Sequence, residues 1–360
     1  MKFVADFQQI NLFCNINGLD QDRGEDMSGR YRLFGSLGSP YSRKMRSIMR
    51  YRRLPHDWVL RTERNRDEIA HLKPALVPVL QYPDTDQMKN DSTPLAYDLE
   101  DRHAGRSIMP DDPCHAFLSH LIEDMADEWL TKAMFHYRWT YAADIEYASH
   151  WIADDSFPDH IGENRESMAH MFAERQVGRM PMVGCTPENA PVIEASYLRL
   201  LALLESHVGL HSYLFGSRPA LADFGLFGQL MVLATDPTPM ELMRKHAQRT
   251  EDWLRQLDDA SGVEGDWLSL EDQLPDATLG ILSMAADIYL PFLSANAAAA
   301  KTGDENFSLQ IMGMPFAQGT FGYQVKCLTD LRQRFAALEG EPRQRATNIL
   351  ESCGALSYLA

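Results

Sequence analysis

The chain has 360 residues, more than the roughly 100–200 usual for one domain, so two domains are expected. A formal net charge of −17 argues against nucleic acid or an anionic membrane as the main partner. Five cysteines (Cys14, Cys114, Cys185, Cys327, Cys353) are widely spaced and form no C-x-x-C pair, which fits free thiols in a reducing compartment rather than a disulfide framework or zinc site.

Residues 1–29 end in a Gly/Asp-rich stretch and read as a loose extension, whose start reaches Asp6 too soon for a signal-peptide core. A short strand, Tyr31 to Phe34, leads into the turn Gly35-Ser36-Leu37-Gly38-Ser39-Pro40. A helix from about Tyr41 to Arg53 follows, with Met45, Ile48 and Met49 at helical spacing. Trp58-Val59-Leu60 is a second strand, Asp67 to Leu72 a helix, Val79 to Tyr82 a third strand and Gln87 to Asn90 a fourth. Asp91-Ser92-Thr93-Pro94 opens another helix, with the proline in the first turn where its missing N–H costs nothing. The order β-α-β-α-β-β-α predicts a mixed four-stranded sheet. Between Arg30 and Lys73 twelve Lys/Arg face only four Asp/Glu. That local excess suits a small anionic ligand, and a solvated helix face accounts for most of it equally well.

After Pro110-Asp111-Asp112-Pro113 the pattern turns helical. His115 to about Trp151 carries no turn signal, and Asp154 to Pro191 reads as a loop with one or two short helices. From Pro191 to His207, Val192, Ala195, Leu198, Leu201, Leu204 and Val208 form one stripe. Ala220 to Leu233 is apolar all round, as suits the centre of a bundle. Pro239 to Arg249 and Thr250 to Ala260 add two more helices. Leu279 to Ala300 is the most apolar stretch, but Asp287 and Pro291 favour a buried helix over a membrane span. Phe307, Leu309 and Ile311 alternate as a half-buried strand, Met312 to Gly319 reads as a hairpin-like turn, and Tyr323 to Leu338 as a helix.

Gly38-Ser39-Pro40-Tyr41-Ser42-Arg43, Leu76-Val77-Pro78-Val79-Leu80 and Asp91-Ser92 resemble, in order and spacing, the three signposts of the glutathione S-transferase N-terminal domain. Gly216-Ser217-Arg218-Pro219-Ala220-Leu221-Ala222-Asp223-Phe224 is similar to the helix that nucleates that family's C-terminal domain, and the resemblance covers roughly residues 30–260. It implies an α/β plus all-α chain. The expected divisions are an extension (1–29), a thioredoxin-like glutathione-binding domain (30–112), an all-helical domain (113–272) and a C-terminal extension packed upon it (273–360).

The resemblance also implies roles. Ser39, at a helix N-terminus whose N–H groups and dipole favour a thiolate, would activate the thiol of glutathione, the co-substrate. Tyr41 and Ser42 stand as alternative hydroxyls. Pro78 would be cis, turning the Val77 backbone toward that of the ligand. Asp91 and Ser92 would hold the γ-glutamyl end, and Arg61, Arg64 or Arg66 the glycyl carboxylate. Where the family has Ser or Thr three residues before the Asp of the helical domain, this chain has Ala220, so Asp223 is expected to cap by itself. The implied activity is thiol addition to a small hydrophobic electrophile in the cytoplasm, compatible with a homodimer. A non-catalytic interaction protein and a glutathione-dependent reductase or lyase are the alternatives.

Two other groups carry less. His120, Asp124, Asp127 and Glu128 could be drawn as metal ligands, but acids on an exposed helix face are commoner and no metal-binding spacing supports a site. His136 to Tyr141 is aromatic and cationic on several faces, which suits either the border of a substrate site or core packing with surface charge.

Overall fold

The computed structural model describes residues 29–360, so the extension expected at 1–29 lies almost wholly outside the described residues. The first unit is a sheet of β1 (Tyr31–Gly35), β2 (His56–Leu60), β3 (Val79–Gln81) and β4 (Met88–Asn90), ordered β2-β1-β3-β4. The β1–β2 pair is parallel, while β1–β3 and β3–β4 are antiparallel. Helices α1 (Pro40–Tyr51) and α2 (Ser92–Arg102) pack on it through Met45, Ile48, Met49, Leu95 and Leu99, all buried. The sheet is the mixed, thioredoxin-like one expected. The connection after β2 differs: its turn of helix is Glu63–Ile69, of 3-10 type, started by Thr62 and Asn65 hydrogen-bonding reciprocally.

The second unit is helical. What the sequence offers as one run from His115 is α3 (Pro113–Met125), a π-helical turn (Ala126–Leu130), α4 (Thr131–Thr140) and α5 (Ala142–Ser156). The break before α5 falls at Tyr141, whose extended backbone places its hydroxyl on Glu194 at 2.6 Å. The stretch expected as a loop with one or two short helices holds a longer one, the fifteen-residue α6 (Glu163–Val177), which buries little besides Ala169 and Ala173 and so gives a weak apolar pattern. Along α7 (Ala190–Val208) the buried line runs through Ile193, Tyr197, Leu200 and Leu204, and Leu198 is exposed. Ser196 sits on the same face because it accepts the indole N–H of Trp129 at 3.0 Å.

Helix α8 (Leu221–Leu233) is the central helix, buried on every side. Asp223 caps it alone, accepting from the N–H groups of Ala220 (2.8 Å) and Leu214 (3.1 Å). Then come α9 (Pro237–His246) and α10 (Gln248–Asp258). The remaining residues form α11 (Asp276–Met284), a second π turn (Ala285–Tyr289), α12 (Leu290–Thr302), a hairpin of β5 (Asn306–Ile311) and β6 (Met314–Gly319), then α13 (Gly322–Ala336), α14 (Gly340–Ser352) and α15 (Leu356–Leu359). The hairpin turns at Met312-Gly313, so most of the stretch taken as turn is strand β6. The apolar run Asp276–Thr302 is long enough to cross a membrane, yet most of it is buried in the protein. Phe292 and Phe316 pack around Trp129, and Phe335 lies against Phe117, so this last part shares one core with α3.

Candidate functional site at one edge of the sheet

The strand directions bring the sequence-predicted residues together. Gly35 ends β1 beside Leu60, the end of β2; Phe34 pairs with Val79, the start of β3; and Val79 pairs with Asn90, the end of β4. The segments holding Ser39, Arg61, Val77-Pro78 and Asp91-Ser92 therefore all leave or enter the sheet at the same edge. The Val77–Pro78 peptide is cis, as the resemblance implied.

Of the three candidate hydroxyls, one is committed elsewhere and one is sealed from solvent. Tyr41 donates its hydroxyl to the backbone oxygen of Asp127 at 3.0 Å, and burial, with Glu128 and Asp127 adding, raises its phenol well above the ordinary value. Ser42 is fully buried and accepts the N–H of Ser36 at 3.3 Å. Ser39 is half-buried at the N-cap of α1, and its hydroxyl accepts a single long bond from the Ser42 N–H, also 3.3 Å. Its hydroxyl proton remains available to a ligand. The loop is held from the helical side by Arg138 of α4, buried, which donates to the Gly38 carbonyl at 2.9 Å and to Asp236 at 2.7 Å. Gly38 also sits so close to Trp151 and Ile152 of α5 that a Cβ there would lie 3.2 Å from both. Within the aromatic and cationic run His136 to Tyr141, it is Arg138 that reaches the site.

At the other end, Asp91 takes a positive φ of 77° and makes no capping bond with its side chain. Ser92 is turned inward. It is 3% exposed, and its hydroxyl donates to Asp127 at 3.4 Å. Among the arginines, Arg64 is paired with Asp159 (Nε to Oδ2, 2.8 Å). Arg61 is half-buried; burial, then Arg66 and Arg175, pull its guanidinium below the ordinary value. Among the described residues no carboxylate pairs with Arg61 or Arg66. Arg61, whose backbone N–H donates to the Gly35 carbonyl at 2.7 Å, is the one that adjoins the end of β1 and is the better placed of the three to take an anion.

Beneath Ser92 lies a buried polar layer that the sequence reading missed. Lys44 of α1 donates to Glu123 (2.7 Å) and to Asp127, and Thr93 donates to Glu123 at 2.6 Å. Burial would depress the Lys44 ammonium, but Asp127 and Glu123 outweigh it and leave the lysine above its ordinary value. Asp127 is pushed up by burial to about 7 despite Lys44. Asp124 accepts from the Tyr289 hydroxyl at 2.6 Å, and Glu128 from Gln324 at 3.3 Å. The acids of α3 and its π turn thus occupy a protein interior, not the exposed face expected of them; Glu123 and Asp127 share Lys44, while Asp124 and Glu128 serve Tyr289 and Gln324. Among the described residues no three His, Cys, Asp or Glu side chains converge as metal ligands. The usable signal was Ile122, Met125, Ala126 and Trp129 interleaved with the acids, a helix apolar on too many sides to leave any face in water.

A surface cavity of about 300 Å3 lies elsewhere, lined by Asn189, Leu309, Phe316 and neighbours of the β5–β6 hairpin. It contains none of the residues above.

Residues 33–107, which hold the sheet and this edge, match the family model described as glutathione S-transferase, N-terminal domain. The chain carries a glutathione S-transferase N-terminal domain. No curated protein matches it. Solved structures similar to it include a glutathione S-transferase from Methylobacillus flagellatus KT with glutathione bound: 17% identity, 64% of this chain, 96% of that one, TM-score 0.40. Another is the β-etherase LigF of Sphingobium sp. strain SYK-6, at 17% identity, 63% and 94% coverage and TM-score 0.42. A third is the glutathione transferase GSTFuA3 of Phanerochaete chrysosporium, at 16% identity, 65% and 98% coverage and TM-score 0.44. Likenesses this distant carry nothing about the activity of the present glutathione S-transferase domain, which rests on its own residues.

Proposed function

We propose that this protein binds glutathione at the sheet edge and that Ser39 activates its thiol for attack on a small hydrophobic electrophile. The observation that carries this reading is the accessibility of the Ser39 hydroxyl beside a helix N-terminus, while Tyr41 is committed to Asp127 and Ser42 is fully buried. In this reading the Ser39 O–H, the Tyr41 N–H and the positive end of α1 favour the thiolate over the thiol, since Pro40 has no N–H and those of Ser42 and Arg43 are taken by Ser39. The Val77 backbone pairs with the peptide, Arg61 takes the glycyl carboxylate, and the N-terminal N–H groups of α2 take the γ-glutamyl carboxylate. Trp151 and Ile152, against Gly38, supply an apolar wall on the thiol side. A serine cannot form a mixed disulfide, so transfer is favoured over thiol–disulfide reduction.

The test is the ultraviolet titration of bound glutathione. With Ser39→Ala the thiol pKa should rise by about one unit or more and turnover should fall about tenfold or more, with little change in affinity. A variant that titrates and turns over like the parent would remove Ser39 from the chemistry. One observation favours a second reading, a scaffold that keeps the fold without the chemistry: the Ser92 hydroxyl is sealed against Asp127. Calorimetry with free glutathione separates the two, since the scaffold would show no binding.

A further inference from the structure

The C-terminal extension reaches the same sheet edge. Tyr323, in the first turn of α13, donates its hydroxyl to Asp91 Oδ2 at 3.3 Å. Its approach is fixed from behind by Asn296 of α12, fully buried, whose side-chain amide donates to the Phe321 carbonyl at 2.9 Å and accepts the Phe321 N–H at 2.8 Å. The next residue, Gln324, is buried and anchors the helix start on Glu128. Phe321 flanks the phenol, ring centroids 6.5 Å apart. Tyr323 itself remains 43% exposed, so the Asp91 end is bordered by it but not sealed.

The charges give this contact a direction. Burial, then Asp91 and Glu128, raise the Tyr323 phenol above its ordinary value, so it stays a neutral donor. Burial raises Asp91, while Lys44 and the Tyr323 hydrogen bond act against that rise and favour the carboxylate. A carboxylate at a positive-φ position, steadied by the Tyr323 phenol and more weakly by the Thr93 backbone N–H, is arranged to accept from a ligand cation with its remaining lone pairs.

We propose that Tyr323 is a positioning residue for substrate binding, holding the Asp91 carboxylate where it accepts the α-ammonium of a γ-glutamyl ligand. This rests on the glutathione reading above. It makes the C-terminal extension part of the site and predicts selection for ligands with a free α-ammonium group.

The experiment is calorimetry on the full chain with glutathione and with glutaryl-cysteinyl-glycine, the same peptide lacking only that ammonium. Tyr323→Phe, which keeps the ring and its packing, should weaken glutathione binding about fivefold and leave the glutaryl peptide unchanged. In an Asp91→Asn background the same change should have no further effect. Equal weakening of both peptides, or of neither, would overturn the proposal while glutathione binding itself stood. Failure of the parent to bind glutathione at all would overturn the reading beneath it, and the proposal with it.

Discussion

The Lys44 ammonium lies 2.7 Å from a carboxylate oxygen of Glu123, both side chains fully buried, tying the first helix of the sheet unit to the first helix of the bundle. Lys44→Met would leave Glu123 and Asp127 without their cation. Breaking a buried pair from one side costs about 3–5 kcal/mol, and urea denaturation should show that loss at neutral pH. Replacing Lys44, Glu123 and Asp127 together with apolar residues of similar volume should recover much of it. A single-variant loss below about 1 kcal/mol would mean the layer is hydrated.

Asp223 gives stability a pH dependence. Burial lifts its carboxyl from 3.8 to about 7 despite the N–H groups of Ala220 and Leu214. The folded state therefore holds a proton that the unfolded chain has lost, and stability from this group declines as pH rises from 3.8 toward 7. Asp223→Asn weakens the cap but cannot titrate. The stability difference between parent and variant should shrink across that window and stay flat above it. Parallel curves from pH 4.5 to 8 would show that Asp223 ionises normally.

Gly228 of α8 allows the close approach of α1. A Cβ there would lie 2.6 Å from the Pro40 carbonyl oxygen and 3.1 Å from Lys44 Cβ. Gly228→Ala should cost about 1–3 kcal/mol as an overpacked contact. Because Pro40 adjoins Ser39, it should also weaken glutathione binding. Unchanged thermal stability would mean that α1 shifts freely.

A chain ended after Asp272 loses Phe292, Phe316 and Phe335, which pack on Trp129 and Phe117. It also loses the Tyr289 partner of Asp124. The expected outcome is an insoluble or molten product, read by near-ultraviolet circular dichroism. A soluble remnant with sharp unfolding would show that α3 can face water.

The sheet unit was legible because its strands are short and bounded by turn residues, and because its site motifs sit at strand ends, where sequence and geometry coincide. Asp223, Pro78 and Ser39 took the local conformations expected. The misreadings have physical causes. Helix α6 buries too little for periodicity to reveal its full length, and Tyr141 ends a helix through a distant partner, Glu194. The contacts of Ser92 with Asp127, Lys44 with Glu123, and Tyr323 with Asp91 join residues 35, 79 and 232 positions apart. Spacing along a chain carries no trace of them. Hence a hydroxyl expected to face the ligand is found facing the bundle.

The π turn at Ala126–Leu130 carries one residue more than a regular helix would at that place. Each residue of a helix turns the chain by about 100°, so the surplus acts as a rotary offset between α3 and α4. Upstream of it Phe117 faces α13; downstream Lys132 and Arg138 face the hairpin and the Ser39 loop. Deletion of a single residue here would restore a perfect helix and swing those two groups of contacts out of phase. In this chain, the irregular turn lets one continuous helix serve both the added C-terminal part and the sheet edge.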